Sequence, residues 1–245
     1  MENKLIYKQP RKVSASFMDC TAKLGLSQVV SMIQDNLTEC FGHLYADNYR
    51  FNKDYNAFWV FTKTKVHLER RPDWIEVFDA ATFPINNAVF RTDVNSIFTD
   101  KEGKTLLTAN TECCCLDLTK HRPIRLTDTD FPKSDFPAPV FTDKFQRFSF
   151  ETSEDDFVYS TQVRNQLMDM SNHLNNTEYV KMGIGALQAD FIKTHELTDL
   201  EVHYLGECKE LQTLKVYKKE ADGNIYVRIT ESERVVFEMS LRFAE

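Results

Sequence analysis

The 245 residues are 42% hydrophobic and 12% aromatic, with 19 Phe against 7 Gly and 7 Pro. That composition can fill a sizeable core and excludes disordered and fibrous classes. The formal net charge of −7 speaks against bulk nucleic-acid binding, which needs a basic surface. No apolar run approaches the roughly 20 residues that span a bilayer, so no membrane insertion is expected. The opening MENKLIYKQPRK lacks the apolar stretch of an export signal.

In chain order, SASF (Ser14 to Phe17) suggests a short strand, and Ser27 is placed to cap a helix running to about Phe41. Leu26, Val30, Ile33, Leu37 and Phe41 recur at helical spacing and make one apolar face. Strand-like runs follow: AFWVFTKTKVHL, WIEVFDAATF, VFRTDVNSIF and TLLTANTECCCLDL, the last two joined by the turn TDKEGK. Cys113, Cys114 and Cys115 are adjacent, so in a strand they alternate between faces and cannot build one metal cage. They read as reduced core residues. Reduced cysteines without an export signal point to the cytoplasm.

Four prolines between Pro123 and Pro139 mark an extended connector. They divide the chain into a unit at 1–120, a connector at 121–150 and a second unit at 151–245. The second unit repeats the first. DFVYSTQV is strand-like, and Asn175 with Glu178 forms an N-x-x-E capping signal. A helix over 176–192 then carries Val180, Ile184, Leu187 and Phe191. Gly183 and Gly185 cost that helix about 1 kcal/mol each, which makes sense where something packs very close. The runs DLEVHYLGEC, LQTLKVYKK, NIYVRITES and RVVFEMSLRF follow, with the turn ADGN. Val235, Phe237, Met239, Leu241 and Phe243 alternate with polar residues and predict a sheet with one buried face. The fold class is α+β: twice, a long antiparallel sheet wrapped around one central helix.

The repeat has a register. Asp19 stands eight residues before Ser27 and Asp169 eight before Thr177, which sets Lys23 opposite His173. Only the second copy, DMSNHLNN, concentrates a carboxylate, an imidazole, a hydroxyl and three carboxamides at a helix start. A helix N-terminus offers free N–H groups and a positive dipole end, and the polar side chains before it can orient a water and a substrate.

DMSNHLNNTEY resembles the D-x-N-x-H-x-N-N-x-x-Y signature of acyl-acyl carrier protein (acyl-ACP) thioesterases. DLEVHYLGECKELQTL is similar to that family's strand with a Glu–Cys pair, here Glu207 and Cys208. FWVFTKTKVHLERRPDWIEVFDAATF is similar to its W-V-x-T…R-x-P-x-W-x-[DE]-V segment. The resemblance covers almost the whole chain and implies a tandem (double) hotdog fold. It implies hydrolysis of fatty acyl-ACP, which ends chain elongation, with no cofactor because the substrate carries its own phosphopantetheine. The catalytic candidates it implies are Asp169, His173, Glu207 and Cys208. Where the family has Asn two residues before the His, this chain has Ser171, with Asn172 one place later, and either could supply the missing hydrogen bond. Glu207, if withdrawn from water beside the helix start, can serve as general base. Cys208 is either a core residue or a nucleophile activated by His173. Asn175 and Asn176 read as capping residues and Tyr179 as packing. The acidic carrier protein would need a local basic patch, for which Lys120, Arg122, Arg125, Arg70 and Arg71 are candidates. Two fused units already mimic a dimer, so monomer and homodimer both remain open. The competing readings are an acyl-CoA thioesterase of the same fold and a non-enzymatic acyl-binding protein.

Overall fold

In the computed structural model, which describes residues 3–244, the strands join a single sheet of ten, all neighbours antiparallel. The first half supplies β1 (Tyr7–Lys12), β2 (Ala57–Leu68), β3 (Val77–Pro84), β4 (Arg91–Thr99) and β5 (Thr105–Asp117). The second supplies β6 (Phe157–Gln162), β7 (Leu197–Tyr204), β8 (Thr213–Ala221), β9 (Asn224–Glu231) and β10 (Arg234–Phe243). Outward from the centre the order is β2-β5-β4-β3-β1 on one side and β7-β10-β9-β8-β6 on the other, the same order twice. The halves meet where β2 pairs with β7, from Lys63 opposite His203 to His67 opposite Asp199. The tandem hotdog expected from the repeat is thus the observed architecture.

The first half adds helices α1 (Leu26–His43) and α2 (Asn48–Tyr55), the second α3 (Asn176–Ile184) and α4 (Ala189–Thr194). In α1 the apolar stripe behaves as its spacing predicts, and Val30, Ile33, Leu37 and Phe41 are all buried. Its cap differs from expectation. The N-cap is Gly25, and Ser27 lies buried in the first turn with its hydroxyl on Gln28 Oε1. Asn175 does cap α3, its Oδ1 accepting from Thr177 N at 2.9 Å, while Glu178 turns to Lys181 instead of closing the box.

The second helix is shorter than the 176–192 predicted. It stops at Ile184, and the chain turns before α4 begins at Ala189. The Tyr159 hydroxyl donates to Met182 O at 2.7 Å and satisfies one of the terminal carbonyls. Gly183 is where the close approach occurs: a Cβ there would sit 2.6 Å from Met239 Cε on β10. SASF is not a strand but a single 3-10 turn, Ala15–Phe17, and the strand of that region lies upstream as β1. Helix α2, carrying one buried residue, Phe51, was not expected.

β10 also departs from its pattern, because Val236 through Leu241 are buried without a break. The reason is the connector, which crosses the sheet on the side away from the helices. Asn95 of β4 accepts from Val140 N and Phe141 N at 2.9 and 3.0 Å, and Lys65 of β2 donates to Lys144 O. Glu201 of β7 accepts from Gln146 N at 2.7 Å. Phe148 stacks on His203 at 4.3 Å and Phe150 on Tyr226 at 4.8 Å, and Arg228 of β9 donates to Phe150 O. The polar residues of that face, Glu201, His203 and Glu238, are therefore buried under a strap and held in hydrogen bonds and ion pairs.

The sheet ends on unlike strands. β1 (YKQPRK) carries Pro10 and three basic residues, while β6 (FVYSTQ) has no charge and exposes Phe157 and Val158. The β8–β9 hairpin turns on Asp222 and Gly223, both at positive φ, as a two-residue loop of that hand requires. Among the described residues no helix is long and apolar enough to cross a membrane.

Candidate active site

The register read from the sequence reappears as matching backbone hydrogen bonds. Asp169 N donates to His173 O at 2.8 Å, and Asp19 N to Lys23 O at 3.1 Å. Asn175 N donates to Leu167 O as Gly25 N does to Phe17 O. Leu174 N donates to Cys208 O, and Leu24 N to Pro72 O, both at 2.8 Å. The last pair sets Glu207 opposite Arg71, an equivalence not found in the sequence.

In the second half the turn before α3 gathers the polar residues around one carboxylate oxygen. Asp169 Oδ1 accepts from Ser171 N at 2.8 Å, from the Ser171 hydroxyl at 2.5 Å and from His173 N at 3.3 Å. Ser171 Oγ lies 3.2 Å from His173 Nδ1, and His173 Nε2 lies 3.3 Å from Glu207 Oε2. Asp169, Ser171, His173 and Glu207 therefore form one connected set. Asn172, the other candidate for the family's Asn, does not join it. It is exposed at φ +60°, and its side chain is not part of the cleft wall.

These residues open on a cleft of about 670 Å³. Its lining brings Asp169, Ser171, His173, Glu207 and Asn176 together with Phe58, Trp59, Phe61 and Leu116 of the first half, beside polar residues such as Thr38 and Asn48. The N–H of Asn176, first residue of α3, has no hydrogen-bond partner among the described residues, and Asn176 lines the cleft. It is the free donor that a helix start provides.

The surroundings of Glu207 differ from the condition set for it, and those of Cys208 match one of its two readings. Glu207 is not withdrawn from water, for its side chain is 63% exposed at the cleft mouth. Cys208 is fully buried, in the apolar core and outside the cleft wall. Burial pushes its thiol above the ordinary range, partly offset by the Tyr179 hydroxyl. Two contributors were missed. Arg234 Nη2 donates to Glu207 O at 2.8 Å and the Tyr179 hydroxyl to Gly206 O at 3.1 Å, so both anchor the segment that carries Glu207. For Tyr179 there was a signal, since a tyrosine on a buried helix face needs a partner for its hydroxyl.

Of the basic candidates, Lys120, Arg122 and Arg125 are exposed, and their neighbour His121 reaches the cleft wall. Arg70 is engaged by both carboxylate oxygens of Glu76 at 2.7 and 2.8 Å. Arg71 cannot meet a partner: it is 1% exposed and bonded to Asp19.

The family model for the acyl-ACP thioesterase N-terminal domain matches residues 4–131, and that for the C-terminal domain matches residues 150–241. The chain belongs to the acyl-ACP thioesterase family. It is 21% identical over 193 residues to an acyl-acyl-carrier-protein hydrolase (FATB3, chloroplastic) of Cuphea viscosissima, covering 71% of this chain and 45% of that protein. The chain thus spans under half the length of that curated relative. Two solved thioesterase structures share its fold. That of an acyl-ACP thioesterase from Bacteroides thetaiotaomicron superposes with a TM-score of 0.88 at 18% identity, covering 98% of both chains. That of a 12:0-ACP thioesterase from Umbellularia californica gives 0.81 at 13% identity, covering 98% of this chain and 97% of that one.

Proposed function

We propose that this family member hydrolyses the thioester of fatty acyl-ACP, releasing free fatty acid and carrier protein. One observation carries the reading. His173 Nε2 and Glu207 Oε2 stand 3.3 Å apart in the wall of a cleft that Phe58, Trp59, Phe61 and Leu116 of the first half also line. A water held between them attacks the thioester carbonyl. The new C–O bond forms as Glu207 accepts the water's proton. Charge then develops on the carbonyl oxygen, which the free Asn176 N–H at the start of α3 can meet. The C–S bond breaks, and the pantetheine thiolate leaves as the thiol with the proton that Glu207 took from the water, which regenerates the base. His173 holds the water. The buried, protonated Cys208 thiol outside the cleft wall favours this scheme over a covalent acyl-enzyme.

The reaction so proposed uses no cofactor of the protein's own. The exposed Lys120, Arg122 and Arg125 are the proposed contacts for the acidic carrier. Six free thiols suit a reducing compartment, and the cytoplasm is the proposed location. A panel of acyl thioesters tests the reading. Turnover of carrier-protein thioesters well above that of CoA thioesters is expected. The reverse preference would make the protein an acyl-CoA thioesterase, and binding without turnover would make it an acyl-binding protein.

A further inference from the structure

The hydrogen bonds from Asp169 through Ser171 to His173 have a direction, and the other half of the molecule shows what it is. In the matching turn, Thr21 N and the Thr21 hydroxyl bond Asp19 Oδ1 at 2.9 and 2.5 Å, as Ser171 does with Asp169. Thr21 Oγ1 also receives Arg71 Nη2 at 3.1 Å. A guanidinium only donates, so the threonine oxygen accepts from the arginine and spends its one proton on the aspartate. Ser171 sits in the same turn with the same 2.5 Å bond to its aspartate. Its proton is committed in the same way, and what it offers His173 Nδ1 at 3.2 Å is a lone pair. Nδ1 must then carry the hydrogen.

We infer that Ser171 is a positioning residue: its hydroxyl links Asp169 to His173 and fixes the Nδ1–H tautomer, leaving the lone pair of Nε2 toward Glu207. Two acceptors 3.3 Å apart cannot bond each other, but they can share one water that donates a hydrogen to each. That arrangement leaves the water's own lone pairs free for a carbonyl carbon. Asn172, exposed and outside the cleft wall, has no part in it. The inference rests on the hydrolase reading for what the water does, but not for which nitrogen is protonated.

The protein labelled with ¹⁵N in its imidazoles gives the test. Long-range ¹H–¹⁵N spectra at neutral pH distinguish the two tautomers, with His173 assigned by its loss in His173→Gln. The wild type is expected to show His173 as Nδ1–H. Ser171→Ala should move it toward Nε2–H while the other five histidine signals stay in place, and kcat should fall roughly 10–100-fold with little change in KM. Ser171→Thr should restore both, since Thr21 shows that threonine fits this turn. An Nε2–H tautomer in the wild type, a measurement that needs no variant, would overturn the inference. So would an unchanged tautomer in Ser171→Ala. If the tautomers behave as described but no acyl thioester is turned over, the hydrolase reading falls and the role of Ser171 stands.

Discussion

The two helix starts have one backbone and opposite contents. Before α1, Asp19 bonds the buried Arg71, Lys23 pairs with Glu196 from the other half, and Arg71 Nη2 reaches within 3.9 Å of Glu196 as well. Charges cancel and the place is filled. Before α3, Ser171 and His173 occupy the positions of Thr21 and Lys23, Glu207 replaces Arg71, and the space is a cleft of about 670 Å³. An arginine facing the aspartate builds a clamp between the halves. A glutamate facing a histidine leaves two acceptors and room for a third party. The turn itself, with its aspartate and hydroxyl, is scaffold, and the residues set against it decide whether it is used for stability or for chemistry.

Variants on each side can break this contrast. The largest effect should come from Glu207→Gln, which keeps the shape but loses the base. Steady-state kinetics should show kcat lower by roughly 10²–10⁴ with the melting temperature little changed. Undiminished turnover would remove Glu207 from the mechanism. Arg71→Ala should act in the other currency. Removing one partner of a buried pair costs about 3 kcal/mol, the low end being apt because Asp19 retains some exposure. Urea unfolding would read this loss, and activity per folded molecule should be kept. Cys208→Ser should do less to either quantity. It places a hydroxyl in an apolar core at about 1–3 kcal/mol and lowers kcat far less than Glu207→Gln. An acyl adduct on Cys208, trapped at a competent rate and seen by mass spectrometry, would instead make the thiol the nucleophile. The smallest change belongs to Lys23→Ala. Its ion pair with the half-exposed Glu196 is worth less than about 1 kcal/mol, and turnover should match the wild type. A loss equal to that of His173→Ala would contradict a single active site.

What could be read from the sequence was what is local. Asp169, Ser171 and His173 lie within five residues of one another, so their meeting in one turn followed from spacing alone. Arg71 was invisible as the counterpart of Glu207 because it follows Asp19 by 52 residues, whereas Glu207 follows Asp169 by 38. The first half has a longer central helix and also inserts α2. That helix is short and mostly polar, and its signs were Asp47, whose carboxylate caps it through Arg50 N, and the i, i+4 pair Phe51 and Tyr55 that packs on the core. The spacing of Ile184, Leu187 and Phe191 continued past the real end of α3, since periodicity carries no record of a tyrosine arriving from another strand. Alternation in β10 predicted a wet outer face because nothing in that strand encodes the strap laid across it.

The unlike ends of the sheet bear on how copies of this protein behave at high concentration. An outermost strand has backbone groups ready to pair with another chain. At β1 a proline interrupts the row of donors, and the exposed Lys12 adds a charge that disfavours a second strand, while Lys8 and Arg11 are paired with Asp79 and Glu39. β6 has neither defence, and Phe157 and Val158 lie exposed along it. A sheet that lengthens by joining copies will therefore lengthen at β6. A lysine in place of Val158 is the smallest change that would guard that end as β1 is guarded.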